Sequence, residues 1–177
     1  MTVVFQYGSN MSTSRLNNSD RLCGDAKPIG IARTQESYEL AFTVWSESNN
    51  CAAADIVPRN GRNIWGVLYQ IPNHLISRKT AGKRKSLDAI EREGVNYLRT
   101  EISLLTPEGN QLSAITYIGK NRKADIKTSL AYVKHIMNGI REHELPQEYR
   151  QYVLSQISKN NGELISELIR LYAYAVQ

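Results

Sequence analysis

The stretch VVFQYGSNM, at residues 3–11, decides how this chain begins to fold. Its first three residues are β-branched or aromatic and Gly8-Ser9-Asn10 follows shortly after, so the pattern predicts a strand that runs into a loop. Glycine, serine and asparagine in succession allow turn conformations in which several backbone N–H groups point at one spot. Such a nest binds a carboxylate or a developing oxyanion. An ordinary strand-to-loop turn is the other interpretation, and the residues alone leave both open.

Six further segments alternate apolar and polar residues or form short apolar runs, which predicts strands. Turn residues separate several of them, as in Pro58-Arg59-Asn60-Gly61 and in the sequence TPEGN at 106–110. Short strands joined mostly by tight turns favour a small antiparallel barrel or a curled sheet. The six predicted strands are 28–34, 38–45, 51–57, 64–71, 97–105 and 113–119.

Helical patterns interrupt these strands once and then follow them. Residues 74–93 are predicted as a helical stretch that a basic loop interrupts, with Ser86 as the N-cap of its second part. From residue 125 apolar residues recur at helical spacing up to Pro146, and two more amphipathic helices follow. They are predicted at 146–158 and 163–175. We find no linker or repeat, so residues 1–177 are predicted to form a single domain with a helical C-terminal third from about residue 125.

Composition excludes several classes of protein. The chain has 177 residues, of which 41% are hydrophobic, so it is predicted to be globular rather than disordered. No apolar run reaches the length of a membrane span, and the first ten residues do not resemble a secretion signal. Cys23 and Cys51 are not spaced like metal ligands, and we expect reduced thiols in a cytoplasmic protein.

The net charge of +5 lies in one segment, RKTAGKRK at 78–85. The rest of the chain carries equal numbers of basic and acidic residues, whereas a nucleic-acid-binding protein usually spreads basic residues over a face. We therefore predict no nucleic-acid partner. The segment is either a solvated loop or a surface that attracts an acidic substrate or carrier.

No common catalytic motif is present: the sequence lacks a P-loop, a GxGxxG, an HExxH and a GxSxG. His74, His135 and His143 are too far apart in sequence to suggest one metal site or a Ser-His-Asp triad. We therefore predict no metal site.

The segment LDAIEREGVNY at 87–97 is the best candidate for an acid–base group. In a helix, Leu87 and Ile90 would face the core, and Glu91 would then project at the edge of the core into a cavity. Desolvation there would raise its pKa, which suits a base that must also return its proton. The alternative is a solvated helix end.

Together these segments resemble the gamma-glutamylcyclotransferase-like (AIG2-like) family. The resemblance covers about residues 3–158 and lies in the order and spacing of several motifs. They are YGSNM at 7–11, Ala54-Asp55-Ile56, IWGVLYQI at 64–71, LDxxE at 87–91 followed by Tyr97 and Arg99, and Leu145-Pro146 with Glu148-Tyr149.

The resemblance implies an α+β fold, namely a small mixed, mainly antiparallel β-barrel with flanking helices. It also implies an intramolecular reaction without a cofactor, in which the α-amino group of a γ-glutamyl compound attacks its own γ-carbonyl. The products are 5-oxoproline and a free amine.

The resemblance also suggests roles for particular residues. The loop after the first strand would hold the glutamyl part of the substrate, and Tyr97 would close over it. Tyr117 and Tyr132 would line the cavity, while Arg99 would either bind the substrate's α-carboxylate or lie on the outer face of a strand. The residues of the loop are Tyr7, Gly8, Ser9, Asn10 and Met11.

Two glutamates compete for the role of general base. The LDxxE spacing selects Glu91, whereas the family's frequent Glu-Gly pair selects Glu93. We favour Glu91 because Leu87 would anchor the helix in the core, and we keep Glu93 as the alternative.

Two other functions remain open at this point. One is the release of a γ-glutamyl protecting group from a larger metabolite or a carrier-bound intermediate, and the other is non-catalytic binding on the same fold. In each case we expect a small-molecule γ-glutamyl ligand, no membrane contact, and a monomer or homodimer.

Overall fold

The computed structural model describes residues 1–59, 61–77 and 85–172. Its strands are β1 (Thr2–Gln6), β2 (Lys27–Thr34), β3 (Tyr38–Ser46), β4 (Cys51–Pro58), β5 (Trp65–Ile71), β6 (Tyr97–Leu105) and β7 (Gln111–Gly119). Its α-helices are α1 (Thr13–Leu16), α2 (Leu87–Glu91), α3 (Leu130–Glu142), α4 (Gln147–Asn161) and α5 (Ile165–Tyr172). Short 3-10 turns lie at Ser9–Met11, Asn73–Leu75 and Gly162–Leu164.

Five strands form a closed barrel in the order β1-β5-β2-β6-β7. The β1–β7 contact that closes it is parallel, with Val4 opposite Ile115, and the other neighbours in the barrel are antiparallel. Strands β3 and β4 form a separate antiparallel hairpin. The predicted small mixed, mainly antiparallel barrel with flanking helices is confirmed.

Close packing at the centre of the barrel explains the glycine in IWGVLYQI. Phe5 on β1 is fully buried and lies opposite Leu68 on β5. A Cβ atom on Gly66 would lie 2.4 Å from the backbone oxygen of Gln6 and 2.7 Å from the Phe5 ring. Only glycine therefore lets β5 approach the end of β1 this closely.

A buried carboxylate fastens the β3–β4 hairpin to the barrel. Asp55 on β4 is completely buried and accepts hydrogen bonds from Gly119 N (2.7 Å), Arg122 Nε (2.6 Å) and Thr43 Oγ1 (3.1 Å). A Cβ on Gly119 would lie 2.4 Å from Asp55 Oδ2, so the end of β7 must carry a glycine here. The bonds of Asp55 to Gly119 and Arg122 therefore hold the hairpin beside the end of β7.

Helix α3 packs on the loop that follows β1. A Cβ on Gly139 would lie 2.4 Å from Met11 Cβ, so the absence of a side chain at Gly139 lets the helix lie directly on this loop. The helix begins at Leu130, later than the predicted 125, because the preceding residues bond to other segments. Lys127 O accepts from Ala52 N at 3.0 Å, and Thr128 N donates to Asn160 Oδ1 at 2.8 Å.

The predicted helical stretch over 74–93 is much shorter in the structure. Only the 3-10 turn Asn73–Leu75 and helix α2 are present among its described residues, and 78–84 lie outside them. The predicted N-cap is confirmed, since Ser86 Oγ accepts from Ala89 N at 3.2 Å. Arg92 has a left-handed backbone (φ 51°), and this ends α2 directly after Glu91.

The sequence pattern missed α1, which has only four residues. Helix α4 is close to the predicted 146–158 but continues to Asn161. The last predicted helix, 163–175, is described up to Tyr172, and its remaining residues lie outside the described part of the chain.

Candidate active site

A small cavity lies at the end of the barrel where β1 and β7 end and β6 begins. It contains about 290 Å³ of empty space, and we call it the inner cavity. The hairpin contributes one residue to its wall, and helices α2 and α3 contribute one each. It is lined by Gln6, Tyr7, Gly8, Ser9, Asn10, Ala54, Glu91, Tyr97, Tyr117 and Tyr132.

A larger space, the outer cavity, adjoins the inner one and contains about 930 Å³ of empty space. The two cavities share Ser9, Asn10, Glu91, Tyr97 and Tyr132. The other charged residues of the outer cavity are Arg15, Asp20, Arg21, Glu47, Lys85 and Arg92. The shared residues therefore mark the boundary between the two cavities. A ligand that fills both cavities would place one part on each side of them.

Glu91 is the last residue of α2 and the only described carboxylate that lines the inner cavity. Its Oε1 accepts a hydrogen bond of 2.5 Å from Asn10 Nδ2. Asn10 is buried, and its Oδ1 accepts from Arg21 Nη2, also at 2.5 Å. The carboxylate is thus bonded to the loop that follows β1.

Burial raises the pKa of the Glu91 carboxyl because desolvation penalises its charged form. Arg21, the hydrogen bond from Asn10 and, more weakly, Arg15 act in the opposite direction. The net result is a carboxyl whose pKa lies above its ordinary value. A raised pKa moves the titration of the carboxyl towards neutral pH, which suits a group that must both accept a proton and return it.

The loop between β1 and α1 is compact and largely buried. Residues Ser9–Met11 form a 3-10 turn in which Met11 N donates to Gly8 O at 3.0 Å. A Cβ on Gly8 would lie 3.3 Å from the Ala54 side chain and 3.6 Å from the Tyr132 hydroxyl, so the cavity wall is tight here. Gly8, Ser9 and Asn10 line the inner cavity as a continuous segment of backbone.

Four buried tyrosines form much of the inner wall, and burial raises the pKa of each hydroxyl. Three of them donate to protein oxygens: Tyr7 to Tyr117 O (2.5 Å), Tyr97 to Ala54 O (2.7 Å) and Tyr117 to Asp88 Oδ1 (2.7 Å). They therefore remain protonated at neutral pH and shape the cavity rather than act as bases. The four residues are Tyr7, Tyr97, Tyr117 and Tyr132.

Tyr132 on α3 differs from the other three tyrosines. Its oxygen accepts a hydrogen bond from Ala54 N at 2.9 Å, and the Ser9 hydroxyl is also hydrogen-bonded to it. Since Ala54 N occupies the acceptor side of the oxygen, the hydroxyl proton remains to be donated, either to the Ser9 hydroxyl or to a further partner. Tyr97 and Tyr132 together hold the C=O and N–H of Ala54, so the main chain of β4 forms a fixed wall of the cavity.

Glu93, the alternative base, is not among the described residues that line either cavity. The left-handed Arg92 turns the chain after Glu91, and Glu93 N then donates to Asp88 O at 2.8 Å. Of the two glutamates, only Glu91 borders the cavity.

Two other candidates lie away from the cavities. Met11 is fully buried beneath α3, and its carbonyl accepts from Tyr69 OH at 2.9 Å. Arg99 pairs with Asp88 at 2.9 Å, so its guanidinium is already bonded to a carboxylate of the protein. Neither residue is among the described residues that line the two cavities.

Sequence reasoning did not select Arg15 and Arg21, which border the outer cavity. They lie in the segment between β1 and β2, which has no extended periodic pattern, and α1 is too short to produce one. The only signal was their proximity in sequence to YGSN. The sequence also gave no sign of the partners of Asp88. This residue is buried, and its carboxylate binds both Arg99 and Tyr117.

Within the part of the chain that the structure describes, no group of three or more His, Cys, Asp or Glu residues could hold a metal ion. Cys23 and Cys51 are both free thiols.

Burial and two nearby arginines lower the pKa of His135 to about 4. No helix among the described residues is long and apolar enough to cross a membrane.

Solved structures resemble this chain in fold. Comparison with curated protein sequences gives no significant match. A solved structure named "Gamma-glutamyl cyclotransferase" is 25% identical, with a TM-score of 0.69, and the match covers 85% of this chain and 84% of that one. A human structure described as "uncharacterized protein loc79017" is also 25% identical over the same shares, with a TM-score of 0.70.

YkqA from Bacillus subtilis shares the fold, with a TM-score of 0.69 and 22% identity over 90% of this chain and 55% of its own. The sequence model described as "Gamma-glutamyl cyclotransferase, AIG2-like" matches residues 4–139, which include most of β1, all of β2 to β7, α1 and α2, and most of α3. That match covers well over half of the chain and contains every described residue that lines the inner cavity. The chain therefore belongs to the AIG2-like gamma-glutamyl cyclotransferase family.

Proposed function

We propose that the protein converts a γ-glutamyl amine or γ-glutamyl amino acid to 5-oxoproline and a free amine, with Glu91 as the general acid–base group. The observation that carries the proposal is the position of Glu91. It is the only described carboxylate of the inner cavity, it is part-buried with a raised pKa, and it lies against the loop of the family motif. The family match and the structural likeness support the same reaction class.

The reaction requires a proton to move from one nitrogen to another. The carboxylate of Glu91 takes a proton from the substrate's α-amino group, whose nitrogen then attacks the γ-carbonyl carbon. As the bond from that carbon to the leaving nitrogen breaks, Glu91 returns the proton to the leaving amine. The atoms balance without water, a metal or a redox partner, since the nucleophile and the electrophile belong to one molecule.

The loop at Gly8-Ser9-Asn10 would hold the glutamyl half of the substrate. It lines the inner cavity next to Glu91, and the neighbouring cationic residues Arg15 and Arg21 favour the binding of a carboxylate nearby. The leaving amine would then occupy the outer cavity. This arrangement puts the bond that breaks near Glu91, which borders both cavities.

Tyr132 would donate its hydroxyl proton to the substrate. Its oxygen already accepts from Ala54 N, and unlike the other three tyrosines its O–H is not committed to a backbone or carboxylate oxygen, so it can turn from the Ser9 hydroxyl to a bound substrate. A neutral donor beside the γ-carbonyl stabilises the negative charge that develops on the oxygen during attack. Tyr132→Phe should therefore lower kcat more than it raises KM.

The test is mass spectrometry of 5-oxoproline formed from γ-glutamyl dipeptides, glutathione and γ-glutamyl amines. Glu91→Gln should reduce turnover by about 10²–10⁴-fold, the usual contribution of a general acid–base group. Glu93→Gln is the matched control and should retain activity within about threefold of the wild type. Loss of activity in Glu93→Gln alone, or folded wild type without any product, would contradict the assignment.

A second candidate is the release of a γ-glutamyl group from a larger metabolite or a carrier-bound intermediate. The observation in its favour is the outer cavity, which opens to solvent, contains about 930 Å³ of empty space including part of that solvent, and is bordered by Arg15, Arg21, Lys85 and Arg92. Lys85 is the described end of the basic segment 78–85. Lys85→Glu should raise KM for a γ-glutamyl amine attached to an acidic carrier and leave KM for small substrates unchanged, and an equal effect on both would contradict this candidate.

Non-catalytic binding on the same fold is the remaining alternative. It predicts that calorimetry detects binding of γ-glutamyl compounds while mass spectrometry detects no 5-oxoproline. The position and raised pKa of Glu91 at the inner cavity favour turnover, because carboxyl groups with perturbed pKa values cluster at catalytic sites.

A further inference from the structure

Arg21, Asn10 and Glu91 form one chain of hydrogen bonds, although they come from three different segments. Arg21 Nη2 donates to Asn10 Oδ1, and Asn10 Nδ2 donates to Glu91 Oε1, each at 2.5 Å. Asn10 is buried, so neither of its polar atoms exchanges these partners freely with water. The chain therefore connects the segment before β2, the loop after β1 and the end of α2.

The arginine determines which way the asparagine amide faces. An asparagine side chain can be rotated by half a turn with little change of shape, which exchanges its oxygen with its NH₂ group. A guanidinium has only donors, so Oδ1 must face Arg21 and the NH₂ group must face Glu91. A side chain able both to donate and to accept at position 21 would leave both orientations open.

This orientation also distinguishes the two oxygens of Glu91. Oε1 receives the hydrogen bond from Asn10, so Oε2 has more lone-pair capacity left to accept a proton. A donor to Oε1 stabilises the ionised form of the carboxyl, which is the form that must be present before a proton can be removed from a substrate.

The charge of Arg21 acts in the same direction as the hydrogen bond. Its guanidinium is part-buried, and its Nε has no hydrogen-bond partner among the described residues. Of the groups that lower the pKa of Glu91, Arg21 has the largest effect, ahead of Asn10 and Arg15. The tyrosines that also face Glu91 remain neutral because burial raises their pKa values; they are Tyr7, Tyr97, Tyr117 and Tyr132.

We propose that Arg21 is a positioning residue of this site, which orients the Asn10 amide so that it donates to Glu91 Oε1, favours the ionised form of that carboxyl over the protonated form, and leaves Oε2 as the oxygen open to a proton. The catalytic meaning of this role rests on the proposed function, whereas the titration of Glu91 does not. The two can therefore be tested separately.

The first experiment is ¹³C NMR titration of the glutamate side-chain carboxyls in the protein without substrate, with Glu91 assigned by its loss in Glu91→Gln. Arg21→Gln should move the midpoint of Glu91 to higher pH, whereas Arg21→Lys should stay close to the wild type because it keeps the charge. Arg33→Gln is the matched control, since Arg33 also donates to an asparagine (Asn63 Oδ1, 3.2 Å) but lies outside both cavities, and the Glu91 midpoint should not move. An unchanged midpoint in Arg21→Gln would overturn the proposal.

A measurement on the wild type covers the case in which Arg21→Gln does not fold. The side-chain NH₂ resonances of Asn10 should shift with the same pH midpoint as the Glu91 carboxyl, because one group donates to the other. Asn10 resonances that do not respond to that titration would show that the bond is absent and would also overturn the proposal.

The second experiment measures kcat/KM against pH with any γ-glutamyl substrate that the wild type turns over. Arg21→Gln should lower activity by about tenfold on the acidic side of the profile and by much less on the alkaline plateau, because Glu91 becomes ionised only at higher pH. A uniform loss at all pH values would indicate a merely structural role. If the titration shifts but no substrate is turned over, the proposed function fails and the positioning of Glu91 by Arg21 stands.

Discussion

Asn10 Nδ2 lies 2.5 Å from Glu91 Oε1, although 81 positions separate these residues in the sequence. The contact joins the loop of the family motif to the only described carboxylate of the inner cavity. Its geometry is set by β1, which precedes the loop, by α2, which ends at Glu91, and by α3, which packs on the loop. The stability of these elements and the state of Glu91 are therefore linked.

Glu91→Gln should stabilise the protein, and the gain should depend on pH. Burial raises the pKa of Glu91 in the folded protein above its value in the unfolded chain, so protonated Glu91 stabilises the fold. This stabilisation is complete below the pKa of the unfolded chain and is lost as the pH rises through the pKa of the folded protein. The variant has no charge to bury and should unfold at a higher temperature at about pH 8. The gain should shrink towards zero at about pH 4, where most of the Glu91 carboxyl is protonated. Calorimetry at both pH values measures this, and a destabilised variant at about pH 8 would contradict it.

Gly139→Ala should destabilise the fold and reduce activity together. The new methyl group would lie 2.4 Å from Met11 Cβ, and overpacking of this kind costs about 1–3 kcal/mol in the free energy of unfolding. Relief of the clash would displace the loop that lines the inner cavity.

Gly162→Ala is the matched control for this variant. Its φ is −63°, and its Cβ would meet nothing closer than Ser158 Oγ at 4.0 Å. It should change stability little or increase it by about 0.4–1 kcal/mol. Urea unfolding compares the two variants, and equal effects would show that α3 does not pack on the loop as described.

Asp55→Ala should be among the most destabilising substitutions in the chain. It removes the buried partner of Arg122 and leaves the N–H of Gly119 without its acceptor, which costs about 3–5 kcal/mol. Asp125→Asn is the control, because Asp125 is exposed and its left-handed backbone suits asparagine. Chemical unfolding of both variants measures the difference, and a loss below about 1 kcal/mol for Asp55→Ala would contradict the role of this ion pair.

Ser86→Ala should lower activity through helix α2. The hydroxyl accepts from Ala89 N, and loss of such an N-cap costs about 0.5–2 kcal/mol. Because α2 has only five residues, fraying at its start would move Glu91 at its end. The 5-oxoproline assay should show a lower kcat for Ser86→Ala than for Ser113→Ala, which changes an exposed serine on β7. Equal kcat values for the two variants would show that the Ser86 cap does not determine the position of Glu91.

The strands could be predicted because their apolar residues face a core and turn residues separate them. Strand β3 shows this, since its buried and part-buried residues alternate from Tyr38 to Val44. Hydrogen bonds between distant segments determine where some elements begin, and the sequence pattern does not show these bonds. Helix α3 begins at Leu130 because Lys127 and Thr128 bond to other segments, and no local sequence signal reports such partners.

The candidate site was only partly predictable for the same reason. Glu91 was predicted to face a cavity from its place beside Ile90 in a short helix, and it borders the inner cavity in the structure. Arg21 could not be found in this way, since its role depends on a contact with Asn10 that only the folded chain creates. Met11 shows the reverse case, because its neighbours in the motif line the cavity while its own side chain fills the space under α3.

The separation of the β3–β4 hairpin from the barrel has a consequence for how substrate range could change. The turn at 47–50 borders the outer cavity through Glu47, Ser48 and Asn49, and its bonds to Arg92 and Arg15 are side-chain contacts. Residues could therefore be inserted into or deleted from this turn without altering any strand pairing of the barrel. The outer cavity, which would receive the leaving amine, can therefore be redesigned at this turn while the inner cavity and Glu91 keep their geometry.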